Sequence, residues 1–249
     1  MPNSRPSVIA HIQKHEGEFA NINTLTAFLG FREKGYEVRF FEWPELPCEG
    51  IQPDTPVMGG IPVVVAALTH LGIVVPELPS IPAVLQRFAG RRTWLATMQE
   101  ARNLVSGGQS IFVKPVPADR KLFAGIVFRQ FRDTIATAHV PPEYPVVCSE
   151  VVDFVSEYRA FVLDSEVLGL RHYKGDFRVF PSPEVIDSAV AAYSPSPEAY
   201  GIDFGVTGDG RTLLVETNEA YLLGCYGLTP ILYSTFLERR WAELTGMKP

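Results

Sequence analysis

The sequence of 249 residues lacks several features that would each indicate a class of protein. It has only 3 cysteines and 5 histidines, scattered without the paired spacing of a zinc site, so we expect reduced thiols rather than disulfides or structural zinc. Lysine and arginine form no run, and the net charge is −6. This balance argues against nucleic acid as the main partner. No internal repeat or low-complexity tract is visible.

A long uninterrupted apolar stretch is also missing. Residues 61–75 come nearest, but His70 and Gly72 interrupt them, and the stretch is too short to cross a bilayer. Residues 1–6 contain no apolar signal core, so we expect a cytoplasmic protein. What the chain does have is 46% hydrophobic residues, enough to bury a substantial core in two or three small lobes.

The N-terminal part alternates strand and helix patterns, which is typical of a small parallel, Rossmann-like α/β domain. Asn21 is a predicted helix cap, and Gly59-Gly60 is either a helix entrance or a substrate-binding turn. The proline-rich stretch 76–82 has the composition of a linker, so we predict a first domain at 1–82. The predicted elements are strands at 7–12, 36–43, within 56–62 and at 72–75, and helices at 21–34 and 63–71.

The rest of the chain opens with predicted helices at 83–88 and 93–104 and ends with a predicted helix that starts at Pro230 and stops at Gly246. Between them lies the strongest signal of the sequence, an acidic hairpin. Asp203 precedes a turn at residues 208–210, and Glu216 and Asn218 follow it in a strand.

Because side chains alternate between the faces of a strand, Glu216 and Asn218 share one face, and the hairpin brings Asp203 beside Glu216. Oxygen ligands of this kind suit Mg²⁺, which is usually bound by one or two carboxylates together with substrate phosphates. The alternative from this segment alone is an ordinary hairpin with acidic residues on its solvent face.

Basic residues recur upstream at strand ends. An apolar strand ends at Lys114, just before Pro115, and Lys121 lies seven residues farther on in a predicted loop. A solvated surface charge is the alternative for Lys121. Glu157 and Arg159 share a face of another predicted strand.

The next predicted strand, at 166–173, carries Arg171 and delivers Lys174 at its end. For Arg171 the alternative is an ordinary ion pair with Asp164 or Glu166.

The order of these motifs resembles the ATP-grasp superfamily. Four short motifs, K-x-F-x-G from Lys121, E-Y-R from Glu157, Y-K-G-D from Tyr173 and L-G-C-Y-G-L from Leu223, resemble its clade named for one arginine and two lysines, which is predicted to form amide bonds. The resemblance covers about residues 91–249. It implies an α/β fold in which two α+β lobes at 83–249 clasp ATP, with a small nucleotide lobe at about 106–148 and a metal-binding lobe at about 149–249.

The resemblance also implies a role for each motif residue. Mg²⁺, as two ions that Mn²⁺ can replace, and ATP are the implied cofactors. The implied nucleotide-binding residues are Lys114 and Lys121 for the phosphates, Glu150, Val151, Val152 and Asp153 for adenine, and Glu157 for the ribose. The implied metal ligands are Asp203, Glu216 and Asn218, and the implied catalytic residues are Arg159, Arg171 and Lys174.

The function that follows is an ADP-forming ligase that joins a carboxylate to an amine through an acyl phosphate. The partners would be small-molecule or peptide substrates, and the oligomeric state stays open, a homodimer included. A phosphotransferase is one alternative, because it shares every nucleotide residue with the ligase. A nucleotide-binding module without turnover is the other, and the presence of all three metal ligands and both phosphate lysines argues against it. One position departs from the best-known ATP-grasp ligases: Gly201 stands two residues before the metal-binding aspartate, where an arginine is common.

Overall fold

The computed structural model describes residues 8–76, 78–116 and 122–247. Its strands form three four-stranded sheets, one after another along the chain. The first sheet contains the parallel strands, and the other two are antiparallel throughout. In the described ranges, no helix is both long and apolar enough to cross a membrane.

The N-terminal unit has a central strand with a parallel neighbour on each side, as expected for an α/β arrangement. Asn21 caps the first helix, as predicted, because its side-chain oxygen accepts hydrogen bonds from the backbone amides of Asn23 and Thr24. The elements are β1 (Ile9–His15), β2 (Glu18–Phe19), α1 (Ile22–Glu33), β3 (Glu37–Glu42), β4 (Val57–Met58) and α2 (Ile61–His70).

The predicted strand at 72–75 is wrong. Gly72 adopts a left-handed backbone conformation with φ of 74° just after α2, and the chain then runs on without pairing to the sheet. Ile73 and Val75 pack against the apolar cluster around α2 instead. A short apolar run cannot be assigned by its pattern alone, because a strand and a loop segment packed on a helix both bury apolar residues.

The second sheet has the order β5-β8-β6-β7 and a core that includes Met98, Val113, Phe128 and Cys148. Its elements are α3 (Gln86–Ala89), β5 (Thr93–Thr97), α4 (Met98–Ser106), β6 (Ile111–Pro115), β7 (Ile126–Phe128) and β8 (Pro145–Glu150).

The predicted helix at 93–104 is wrong over its first five residues, which form β5. Their sequence, Thr-Trp-Leu-Ala-Thr, is rich in residues that favour strands, and β5 pairs with β8. The helix begins only after Thr97, whose side chain forms a capping box with Glu100.

The third sheet has the order β10-β9-β11-β12. One face packs on the helix α5 through a cluster that includes Ala160, Ile202 and Ile186. Its elements are β9 (Phe154–Leu163), β10 (Glu166–Gly175), α5 (Pro183–Ala192), β11 (Ala199–Thr207) and β12 (Thr212–Glu219).

The last helix, α6 (Pro230–Thr245), joins the N-terminal unit to the third sheet. Phe236 shares a core cluster with Phe31 of α1 and with Phe161 on the second face of the third sheet. Trp241 packs into the cluster around α2 and donates a hydrogen bond to the carbonyl of Pro53 at 2.9 Å. Helix α6 therefore covers one end of the second face of the third sheet. Arg159 is two residues from Phe161 and lies on the same face.

Candidate active site

Four charged residues lie opposite one another across the third sheet. Arg171 of β10 pairs in register with Arg159 of β9, Arg159 with Asp203 of β11, and Asp203 with Glu216 of β12. The hairpin thus places Asp203 beside Glu216, as the sequence predicts. We call these four residues the charge row. Two cations and two carboxylates stand side by side on one sheet face.

The centre of the charge row is a buried ion pair. Arg159 donates from Nε to Oδ1 of Asp203 at 2.7 Å and from Nη2 to Oδ2 at 2.6 Å. Burial raises the pKa of Asp203 to about 6, although the hydrogen bonds from Arg159 act in the opposite direction. Burial alone would lower the pKa of Arg159, but Asp203 outweighs it and raises that pKa. At neutral pH both groups are charged.

Glu216 connects the second and third sheets. Lys114, at the end of β6, donates from Nζ to Oε2 of Glu216 at 2.7 Å. Burial acts to raise the pKa of Glu216, but the charge and hydrogen bond of Lys114 lower it below the usual range. Nδ2 of Asn218 donates to Oε1 of Glu216 at 3.3 Å and to Oδ2 of Asp203 at 3.4 Å. The three predicted metal ligands are together, and a predicted phosphate lysine is among them.

A bulge in β10 adds a tyrosine that the sequence reasoning missed. His172 pairs with Tyr158 and Lys174 with Glu157, so Tyr173 is the extra residue. The bulge lets two consecutive side chains reach one carboxylate. The Tyr173 hydroxyl donates to Glu157 at 2.9 Å, and the Lys174 ammonium bonds the other oxygen of Glu157.

Tyr173 also reaches Asp203, at 3.4 Å. Burial, followed by the charges of Asp203 and Glu157, raises the Tyr173 pKa, so the hydroxyl stays protonated as a donor. The motif Y-K-G-D contains this tyrosine, but nothing in the sequence indicates the bulge or a role for the hydroxyl.

Arg171 has an unsatisfied donor. Among the residues that the structure describes, its buried Nε has no hydrogen-bond partner, and Nη1 donates only to the carbonyl of Leu170, at 3.3 Å. The alternative pairing with Asp164 or Glu166 is wrong, because Asp164 binds Arg239, and no carboxylate of the described residues lies within 4.0 Å of Arg171. A buried donor without a partner is costly, which fits a site that receives an anion.

The loop at 223–228 closes one side of the charge row. A Cβ at Gly201 would lie 2.4 Å from Cδ1 of Leu223, so the space of a side chain two residues before Asp203 is already filled. In this chain the aspartate binds Arg159 of the neighbouring strand.

The Tyr226 ring lies over the Arg159 guanidinium, with 4.8 Å from Cζ to the ring centroid. Tyr226 has a φ of 46°, which is strained for a bulky residue.

The predicted adenine-binding segment, residues 150–153, connects the second sheet to the third. Glu150 ends β8, and its carboxylate accepts a hydrogen bond from the backbone amide of Arg92 at 2.9 Å. Asp153 forms an exposed ion pair with Arg129. The second predicted phosphate lysine, Lys121, lies outside the described residues.

A family model matches the part of the chain that contains the charge row. The model describes family 2 of the ATP-grasp clade named for one arginine and two lysines, and it matches residues 88–236, which is more than half of the chain. The chain belongs to this ATP-grasp family. The predicted superfamily and clade are therefore confirmed. No curated protein matches the chain by sequence.

Solved structures confirm the predicted ATP-grasp fold. D-alanine–D-alanine ligase from Bacillus anthracis, complexed with ATP, is 14% identical with a TM-score of 0.58, covering 95% of this chain and 94% of that one. The ATP-grasp ligase PsnB, complexed with a minimal precursor, Mg and ADP, is 16% identical with a TM-score of 0.53, covering 94% and 97%. An ATP-grasp ligase associated with RiPPs from Chryseobacterium gregarium, in complex with ADP and a leader and core peptide, is 13% identical with a TM-score of 0.51, covering 97% of each chain.

The donor set of this ATP-grasp protein fits a magnesium nucleotide better than a metal held by protein alone. Among the described residues, no group of three or more histidine, cysteine, aspartate or glutamate side chains is arranged to hold a metal ion. Asp203 and Glu216 could supply two carboxylates, and Asn218, whose Nδ2 donates to both of them here, could add its amide oxygen after the amide turns over. Mg²⁺ commonly takes one or two protein carboxylates and completes its shell with phosphate oxygens and water.

Proposed function

We propose that this ATP-grasp protein is an ATP- and Mg²⁺-dependent ligase that joins a carboxylate to an amine. The observation that carries the proposal is the charge row, in which Arg159 stands directly beside Asp203, Glu216 follows beyond Asp203, and the unsatisfied Arg171 lies on the other side of Arg159. This arrangement suits a reaction in which a magnesium-bound phosphoryl group meets an anionic acceptor.

In this proposal Lys114 and Lys121 bind the α- and β-phosphates, because an ammonium is a compact charge that can serve several oxygens. The backbone of residues 150–153 reads adenine, and Glu157 binds the ribose. The carboxylate of Glu157 is held by Tyr173 and Lys174. Lys174 has to release Glu157 when it acts on the reacting groups.

Asp203, Glu216 and Asn218 would hold the metal. Bound Mg²⁺ would neutralise phosphate charge and align the transferred group. Lys114 bonds Glu216 at 2.7 Å, so it has to release this carboxylate when it turns to a phosphate. Asp203 remains ionised through its pair with Arg159.

The reacting groups meet at the cationic end of the charge row. A substrate carboxylate oxygen attacks the γ-phosphorus, and the bond to the ADP oxygen breaks, which gives an acyl phosphate. Arg159, Arg171 and Lys174 stabilise the negative charge in this step. An amine then attacks the acyl carbon, phosphate leaves, and the amine proton passes to solvent. No protein base is needed for the first step, because a carboxylate is already ionised at neutral pH.

Hydroxylamine trapping tests the reaction class. Carboxylates, among them peptides with aspartate and glutamate side chains, are incubated with ATP and Mg²⁺, and hydroxylamine replaces the natural amine. We expect ADP release together with a hydroxamate of the correct acid. Arg171→Met should lose the hydroxamate and keep its affinity for ADP, because Arg171 acts on the acceptor side.

A stable phosphorylated alcohol in place of a hydroxamate would identify a phosphotransferase and refute the ligase proposal. Nucleotide binding without ADP release for any pair of acid and amine would favour a binding module.

A further inference from the structure

The strand β12 contains a bulge directly before Glu216. Asp203 pairs with Glu216, but the next residue of β11, Phe204, pairs with Leu214. Val215 is therefore an extra residue in β12. Bulges bend a strand and re-aim the neighbouring side chains, and they are frequent beside active sites. Glu216 is the residue that directly follows this bulge.

One arginine binds the bulge. Arg91 donates from Nη1 to the carbonyl of Leu214 at 2.7 Å and from Nη2 to the carbonyl of Val215 at 2.8 Å. Successive carbonyls of a regular strand point in opposite directions. Here two successive carbonyls point at one guanidinium, so the contact is specific for the bulged conformation. A third hydrogen bond, from Nη1 to the carbonyl of Ala89 at 3.1 Å, fixes the guanidinium to its own segment.

The position of Arg91 is unusual for a charge. It is half-buried, and no carboxylate of the described residues lies within 4.0 Å of its nitrogens. Its guanidinium donates to backbone carbonyl oxygens instead. A cation removed from water without a paired anion destabilises a protein. Burial lowers the pKa of Arg91, and the charges of the active-site carboxylates Glu216 and Glu157 act in the opposite direction.

Arg91 lies where β12 meets the segment that connects the second and third sheets. β12 is the edge strand of its sheet, and the linker covers it farther along, where the Thr217 amide donates to the carbonyl of Ser80 at 2.7 Å. The residue after Arg91 binds the predicted adenine segment, because the Arg92 amide donates to Glu150. Residues 91 and 92 therefore connect the strand of Glu216 to the segment between the two sheets.

We propose that Arg91 is a positioning residue, which holds the bulge of β12 and thereby aims Glu216 at the magnesium nucleotide. The inference rests on the proposed function, since it assigns Glu216 to the metal. Arg91 would act through the backbone of β12 and would contact neither substrate.

The test measures ADP binding by calorimetry, with Mg²⁺ and with EDTA, in the wild type, Arg91→Met and Arg91→Lys. Arg92→Met is the matched control, because Arg92 bonds Glu150 through its backbone amide and carbonyl, which the substitution keeps, while its guanidinium lies over the Trp94 ring. We expect Arg91→Met to weaken magnesium-dependent ADP binding about 10- to 100-fold, as loss of residues that orient a metal ligand does. ADP binding in EDTA should stay within about twofold of the wild type, and Arg91→Lys should be intermediate, because an ammonium cannot span both carbonyls.

Hydrogen exchange of the proteins without nucleotide gives a second readout. The amides of residues 212–219 should exchange faster in Arg91→Met, while those of β9 stay protected. Unchanged magnesium dependence in Arg91→Met would overturn the proposal, and so would equal losses with Mg²⁺ and with EDTA. If Arg91→Met does not fold, Arg91→Lys decides by the same measurements. Absence of magnesium-dependent ADP binding in the wild type would instead refute the proposed function, and hydrogen exchange would then still show whether Arg91 holds β12.

Discussion

The buried ion pair of the charge row makes a quantitative prediction about stability. Asp203→Asn removes a carboxylate that is 1% exposed and leaves the guanidinium of Arg159, 8% exposed, without its counter-ion. Breaking a buried pair by removing one partner typically costs about 3 to 5 kcal/mol. The neighbouring negative charge of Glu216 disfavours the ionised form of Asp203, so the wild-type protein gains less from the ion pair. We therefore expect a loss near the low end, about 3 kcal/mol, in the free energy of unfolding.

The assay is urea unfolding at pH 7, followed by circular dichroism, for Asp203→Asn, Arg159→Met and the double variant. The double variant should lose less stability than the two single losses added together, because neither charge is then left alone. Asp164→Asn is the control: it makes the same chemical change in the exposed pair with Arg239, and should cost less than about 1 kcal/mol. If Asp203→Asn were no more destabilising than Asp164→Asn, or if the single losses simply added, the reasoning about this pair would be refuted.

Three further predictions concern the metal ligands, the loop and the cysteines. Glu216→Ala should reduce ADP-forming turnover by about 100-fold or more, because the variant lacks a carboxylate that would hold the Mg²⁺ that neutralises phosphoryl charge; full activity would show that another carboxylate holds the metal. Gly201→Ala should cost about 1 to 3 kcal/mol in urea unfolding, since its Cβ meets Leu223; an unchanged midpoint would contradict the close contact. In iodoacetamide labelling of the native protein at pH 8, exposed Cys48 should react, whereas Cys148, whose pKa is raised to about 11 by burial, should be protected; its rapid labelling would contradict this burial.

Elements with a strong local signal were predictable. The hairpin of β11 and β12 follows from two apolar runs around a glycine turn, and the two-residue period then puts Glu216 and Asn218 on one face. The cap at Asn21 and the stop at Gly246, which has a φ of 70°, likewise depend on neighbouring residues only. These features need no knowledge of the rest of the fold.

Features that depend on distant partners were not predictable. The bulges at Tyr173 and Val215 arise from the register between strands, which no local pattern encodes. Arg91 precedes the carbonyls of Leu214 and Val215 by more than a hundred residues, so only the fold reveals its contact. The short run at 72–75 shows the same limit, because its apolar residues meet a helix and not a strand. The division between domains at residues 82 and 83 stays a prediction.

Calorimetric titration with a non-hydrolysable ATP analogue, with and without Mg²⁺, tests the central claim most directly. We expect the wild type to bind the analogue much more tightly with Mg²⁺, and this gain to disappear in Glu216→Ala, which removes the carboxylate held by Lys114. Binding without Mg²⁺ should remain in that variant. No binding by the wild type, or the same magnesium gain in both proteins, would contradict the assignment of this site.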